Sequence, residues 1–256
     1  MPVDALGQIY APTLSPQRVV SLVPSLTESL FELGAGADLI GISDFCLFPA
    51  EGLAGLPRLG GTKTPDLEAL RLLRPDLVYL NLEENLRRHG EAIAKFSTTF
   101  VTEPKDITGV IHLLRSLGEI HSRSSDALVD RIEKELVSCS TIAPFTFAVP
   151  IWKRPWMWCG GDTYVSNLVA AAGGNNVLAH LDRYPTLEAE EIASLRPDVI
   201  FLPDEPYLFT EADHAQLSKL FEGRIVGPFP GHLFTWHGSR SLLGLRFLRE
   251  VFEVPA

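Results

Sequence analysis

Two histidines in one short loop are the first side chains of this sequence that could serve a metal centre. His232 and His237 flank Phe234-Thr-Trp236 within Pro228-Phe-Pro-Gly-His-Leu-Phe-Thr-Trp-His-Gly238. A neutral imidazole nitrogen suits cobalt or iron, so either ring could ligate a bound metal; a hydrogen-bonded loop histidine is the plainer alternative. The second concentration of chemistry is aromatic. Trp152, Trp156 and Trp158 are three of the chain's four tryptophans and lie within seven residues, in Ile151-Trp-Lys-Arg-Pro-Trp-Met-Trp-Cys-Gly-Gly161, with Met157 between them. Flat rings give large contact area to a planar or macrocyclic ligand, and the Pro and Gly bounds predict a loop whose rings face that ligand rather than the core. Lys153 and Arg154 in the same loop either meet a ligand's carboxylates or phosphate or stand in solvent.

Other chemistries find little support. There is no Gly-x-Ser-x-Gly elbow, no His-Glu-x-x-His and no pair of carboxylates beside a distinctive base, so binding without catalysis is expected. Leu59-Gly-Gly-Thr-Lys63 lacks the spacing of a phosphate-binding loop. The net charge of −10, from 22 basic and 32 acidic residues, argues against nucleic acid as a partner. Cys46, Cys139 and Cys159 have no close metal-ligand spacing and are expected as reduced, partly buried thiols, so no intrinsic cofactor is expected. No stretch approaches the roughly 20 apolar residues of a membrane span. The N-terminus has no basic segment followed by an apolar run, which predicts a cytoplasmic protein as encoded, or a periplasmic or extracellular one if a leader has been removed.

The elements that must position these residues are organised by a repeat. Thr64-Pro-Asp-Leu-Glu-Ala-Leu-Arg-Leu-Leu-Arg-Pro-Asp-Leu-Val-Tyr-Leu80 returns as Thr186-Leu-Glu-Ala-Glu-Glu-Ile-Ala-Ser-Leu-Arg-Pro-Asp-Val-Ile-Phe-Leu202, 122 positions later throughout. In each copy a Thr is expected to cap a short helix with acids in its first turn. A Leu-Arg-Pro-Asp turn then ends the helix and starts a β-branched strand. Ser25-Leu-Thr-Glu28 has the form of a capping box opening a helix that Gly34 closes. Between the copies, Ile107, Val110, Ile111, Leu114 and Leu117, then Leu128, Ile132 and Leu136, keep helical spacing on either side of a break at His121–Ser125. The second of these helices reads as a rigid strut. The fold class is therefore α/β: two similar lobes with mainly parallel sheets joined by a long helix. The expected divisions are an N-terminal lobe over 1–104, a helical linker over 105–142 and a C-terminal lobe over 143–256.

Several pieces in this order carry a resemblance: Val19-Val-Ser-Leu-Val-Pro-Ser-Leu-Thr-Glu28, Gly41-Ile-Ser-Asp-Phe-Cys-Leu-Phe-Pro49, Thr64-Pro-Asp-Leu-Glu68 with Leu73-Arg-Pro-Asp-Leu-Val78, Gly161-Asp-Thr-Tyr164 with Ala172-Gly-Gly-Asn-Asn-Val177, and Leu195-Arg-Pro-Asp-Val-Ile200. The chain resembles the class III substrate-binding proteins for cobalamin, haem and ferric siderophores that serve ABC importers, the helical-backbone metal-receptor superfamily. The resemblance implies two α/β lobes on one long helix, with a cobalt corrinoid, haem or Fe(III) chelate held between the lobe faces. It also implies that Phe45, Trp152, Trp156, Trp158, Tyr184 and Trp236 lie in loops turned toward that ligand, and it matches Arg240 to a basic residue of the family. Glu68 and Glu190 match surface glutamates that dock onto the two permease subunits of a transporter; complementing a helix N-terminus is their simpler role. The last loop departs from the cobalamin pattern, which has an Asp and an Arg there. An alternative function on the same scaffold is a leaderless cytoplasmic enzyme that handles a metal chelate or corrinoid, or a sensor of one.

Overall fold

The apolar, β-branched runs become the centres of two separate parallel sheets. In the computed structural model, which describes residues 1–11 and 14–253, the first sheet holds β1 (Val19–Ser21), β2 (Leu39–Ile42), β5 (Leu77–Asn81) and β6 (Thr98–Thr102), in the order β2-β1-β5-β6. A short antiparallel hairpin, β3 (Gly60–Gly61) with β4 (Thr64–Pro65), precedes the first repeated helix. The second sheet holds β7 (Phe145–Ala148), β10 (Gly174–Asn176), β11 (Val199–Pro203) and β12 (Arg224–Phe229), in the order β10-β7-β11-β12. Each sheet therefore has its first strand inside, its second on one flank, and its third and fourth on the other. All pairings within the two sheets are parallel. Every residue of the central strands β5 and β11 is buried, as expected where helices cover both faces of a parallel sheet.

The helices are α1 (Pro24–Glu32), α2 (Leu67–Leu72), α3 (Arg87–Ile93), α4 (Ile107–His121), α5 (Asp126–Cys139), α6 (Tyr164–Ala171), α7 (Ala189–Ser194), α8 (Glu211–Leu217), α9 (His232–Thr235) and α10 (Ser241–Glu253). The described chain divides into two compact units. One comprises Met1–Pro104 with Thr108–Asp130, the other Lys105–Ile107 with the chain from Arg131 onward. One boundary of the division falls inside α5. No helix among the described residues is long and apolar enough to cross a membrane.

The two copies of the repeat match in local detail. α2 leads to β5 and α7 leads to β11, and the arginine of each Leu-Arg-Pro-Asp turn, Arg74 and Arg196, takes the same left-handed φ of 49°. The following aspartate ties the turn to the first strand of its own sheet. Asp76 Oδ2 accepts the N–H of Gln17 and of Arg18, both at 3.1 Å, while Asp198 Oδ2 accepts the N–H of Thr146 at 2.7 Å and its hydroxyl at 2.8 Å.

Three local expectations are corrected. The caps expected of Thr64 and Thr186 fall two residues later: Asp66 accepts from the N–H of Glu68 and Ala69, and Glu188 holds the cap position of α7, its N–H donating to Glu191 at 2.7 Å. A carboxylate does this better than a hydroxyl because it also opposes the helix dipole. Ser25 is not a cap; α1 starts at Pro24, whose fixed φ and missing N–H suit a first helical position, and Ser25 is buried within it. The tryptophan stretch is not a loop but a second antiparallel hairpin, β8 (Pro150–Trp152) with β9 (Met157–Trp158).

Candidate functional site

In an open parallel sheet the side chains that meet a ligand come from the loops at the carboxyl ends of the strands, where the following helices begin. In the second unit those loops are the β8–β9 hairpin after β7, residues 204–210 after β11, and residues 230–240 after β12.

The hairpin separates its three indoles. Trp158 is wholly buried, its indole N–H donating to Leu187 O at 2.9 Å, and it belongs to a core with Leu178, Ile192, Ile200, Leu202 and Phe221. Trp156 is 7% exposed and lies between Trp158 and Phe209, stacked on each at 5.7 Å and 5.9 Å. The expectation of three rings facing a ligand is corrected: two of them pack the core. Trp152 differs, being 42% exposed with its edge against Tyr207 at 5.4 Å. Met157 is half-buried, and so is Tyr184, under the guanidinium of Arg183 at 5.7 Å. Lys153 does not stand in solvent: its Nζ reaches Asp213 and Gln216 of α8 and lies 5.3 Å from the Trp156 ring centre. Arg154 is exposed at the hairpin tip.

The loop after β12 gathers three of the predicted residues. His232, Trp236 and Arg240 are side by side: the His232 and Trp236 ring centres are 5.7 Å apart, the Arg240 guanidinium is 5.5 Å from the Trp236 ring, and Arg240 Nη1 is 3.5 Å from His232 Nδ1. Arg240 and Trp236 are buried and His232 is half-buried. Burial, and then the charge of Arg240, hold the His232 pKa below its usual value, which favours the neutral ring. His237 is more deeply enclosed than His232. It is 6% exposed with Tyr164 edge-on at 6.1 Å, and burial pushes its pKa down to about 4. Of the two proposed metal ligands, only His232 is partly open. Among the described residues no three His, Cys, Asp or Glu side chains gather where they could hold a metal ion.

Two acids that the sequence reading passed over complete the cluster. Asp204 Oδ1 accepts the N–H of Gly231 at 2.6 Å, and Glu205 Oε1 accepts the hydroxyl of Thr235 at 2.5 Å while its carboxylate also takes a hydrogen bond from the Trp236 side chain. Burial raises the Glu205 pKa despite these donors. The repeat held the signal: extended three residues past Leu202, it aligns Glu205 with Glu83.

In the first unit, Phe45 and Leu47 follow β2 and are 58% and 55% exposed. Arg58 Nη1 holds their loop by donating to the carbonyls of Ser43, Asp44 and Cys46 at 3.2, 3.2 and 2.7 Å. Glu68 and Glu190 are exposed in the first turns of α2 and α7, where Asp66 and Glu188 already occupy the caps.

A protein-family model described as "Periplasmic binding protein" matches residues 19–219. The vitamin B12-binding protein of Vibrio parahaemolyticus serotype O3:K6 is 27% identical over 196 residues, which span 72% of this chain and 70% of that protein. The crystal structure of the periplasmic vitamin B12 binding protein BtuF of Vibrio cholerae superposes with a TM-score of 0.76 at 18% identity, covering 93% of this chain and 97% of that one. The periplasmic heme binding protein HutB of Vibrio cholerae superposes with a TM-score of 0.78 at 16% identity, covering 92% and 98%.

Proposed function

The chain belongs to the periplasmic binding protein family, a family of binding proteins rather than catalysts, and from that premise we propose that it binds a metal chelate or macrocycle of the corrinoid, haem or ferric-siderophore class for an ABC importer. The observation that carries this reading is the joining of His232, Trp236 and Arg240 with Glu205 at the carboxyl ends of β11 and β12. One half-buried imidazole can approach a metal centre, the edge of the largely enclosed indole can meet a ring system, and a guanidinium with the Glu205 carboxylate near it can donate to a carboxamide without demanding an anion. Phe45, Leu47 and Trp152 add open apolar surface at other strand ends of the two units, Met157 lies within the hairpin, and the segment of Tyr184 runs beside it.

Glu68 and Glu190 are the residues we assign to docking. Neither is needed to cap its helix, both are exposed, and the repeat presents them from equivalent local frames, which suits two equivalent permease subunits. Such docking requires the side of the membrane from which cargo is taken up, so the periplasm or cell exterior belongs to this reading. The relatives whose names bear on ligands support both B12-type and haem-type cargo for this chain.

Titration of the purified protein with cyanocobalamin, dicyanocobinamide, haemin and a ferric siderophore, followed by tryptophan quenching and visible absorbance, tests the proposal. Saturable binding to one class at about 10 μM or tighter, weakened in Trp236→Ala, is the expected result. Binding of none of them tighter than about 1 mM would refute it.

A further inference from the structure

α9 has four residues, too few to hold itself together, because a first helical turn fixes three residues for a single hydrogen bond. The orientation of Thr235, at its last turn, and of Trp236, immediately after it, must come from outside the segment. Both ends of α9 are held from the loop after β11. At the start, the Gly231 N–H donates to Asp204 Oδ1 at 2.6 Å. At the end, the Thr235 hydroxyl and the Trp236 side chain converge on Glu205. The two loops touch so closely that a Cβ on Gly231 would lie 2.4 Å from Glu205 Cγ, 2.6 Å from its N and 2.9 Å from its O, so only glycine allows this approach. Trp236 in turn carries Arg240, stacked at 5.5 Å, and faces His232 at 5.7 Å.

We propose that Glu205 is the positioning residue of the binding face: its carboxylate fixes the Trp236 ring, and through that ring the Arg240 guanidinium, in the geometry the ligand meets. This rests on the site reading given above. Without the carboxylate, Thr235 still has Gly231 O, at 3.1 Å, as an acceptor, but the acceptor that Glu205 gives the Trp236 side chain is lost. Trp236 then samples other rotamers, and a preorganised face becomes one that the ligand must order. Glu205→Gln keeps an acceptor oxygen in place, whereas Glu205→Ala does not.

The test compares Glu205→Ala, Glu205→Gln and Trp236→Ala with the unmodified protein. Near-ultraviolet circular dichroism of the ligand-free proteins is read first, with the Trp236 contribution taken as the difference between the unmodified protein and Trp236→Ala. Affinity for dicyanocobinamide and haemin is read second. Glu205→Ala should abolish most of the Trp236 signal and weaken the better probe about tenfold or more, the scale of losing hydrogen bonds to a charged group. Glu205→Gln should restore the signal and bring affinity to within about threefold. The inference is overturned if Glu205→Ala keeps the Trp236 signal, or keeps affinity while Trp236→Ala loses it. If instead Trp236→Ala binds as tightly as the unmodified protein, the site reading fails, and the spectrum of Glu205→Ala alone still decides whether Glu205 orients the ring. Should Glu205→Ala not fold, Glu205→Gln and Glu205→Met, which fills the side-chain volume without an acceptor oxygen, make the same comparison.

Discussion

His237 makes the stability of the second unit acid-sensitive in a way that can be measured at one residue. The ring is buried beside Tyr164, whose hydroxyl is engaged with Ser241 at 2.7 Å, and its pKa falls from 6.5 to about 4. Because the folded value lies below the unfolded one, the unfolded chain binds the proton first. Stability is fully present above about pH 6.5 and is lost as pH falls toward 4. Integrating over that window gives a loss of ~3 kcal/mol by pH 4, a large part of the 5–15 kcal/mol that holds a typical domain. His121 and His232 are shifted in the same direction, so the total loss includes more than one residue. The difference between the unmodified protein and His237→Gln isolates this one. Urea unfolding at pH 7.5 and pH 4 should show the unmodified protein losing ~3 kcal/mol more than the variant over that range. Nuclear magnetic resonance of the imidazole Cε1–H should give a midpoint near 4. Parallel stability curves, or a midpoint near the ordinary value, would refute the account.

Trp158→Ala should lower stability by ~3–5 kcal/mol, because it opens a cavity in a core and leaves the Leu187 carbonyl without its donor; denaturant midpoints test this. Trp152→Ala should leave stability nearly unchanged and weaken binding of the better probe by ~1–3 kcal/mol, and an unaltered titration would remove this ring from the site. Arg74→Gly and Arg196→Gly should each be neutral or stabilising by up to ~1 kcal/mol, since both arginines sit at a left-handed φ that glycine adopts freely; a clear fall in Tm would contradict the reading. Affinity should change less than about threefold, or ~0.7 kcal/mol, between low and high salt, because Arg240 is buried and already has the Glu205 carboxylate near it. A collapse of affinity with salt would instead make charge the main determinant.

The scaffold was legible where its causes are local. The Leu-Arg-Pro-Asp turn stops a helix, sets an arginine in the left-handed region and starts a β-branched strand within six residues, and it does so twice. The break at His121–Ser125 and the apolar periodicity on either side likewise mark α4 and α5 from sequence alone. What failed depended on distant partners. Whether Trp156 and Trp158 face a ligand or a core is decided by Phe209 and Phe221, some fifty to sixty residues along the chain. The fate of Lys153 is decided by Asp213 and Gln216. Glu205 was missed because its role appears only when the loop after β12 lies against the loop after β11. The caps lie two residues beyond the expected threonines because Thr, Asp and Glu side chains can all accept from a helix N-terminus, and spacing alone does not rank them.

The three cysteines carry a consequence for where such a chain can work. Cys46, Cys139 and Cys159 are all buried, the Cys46 thiol is raised by burial, and the Cys139 thiol is pushed up to about 11. A thiol attacks disulfides and peroxides only as thiolate, and one that is both enclosed and protonated presents almost none. Cys46 is further occupied by the hydroxyls of Thr27 and Ser43, at 3.1 and 3.3 Å, and Cys139 by the carbonyl of Leu245, at 3.5 Å. Once folded, the chain therefore presents Cys46 and Cys139 as enclosed, protonated thiols of low reactivity under reducing and oxidising conditions alike. An engineered surface cysteine would be the one thiol a labelling reagent finds.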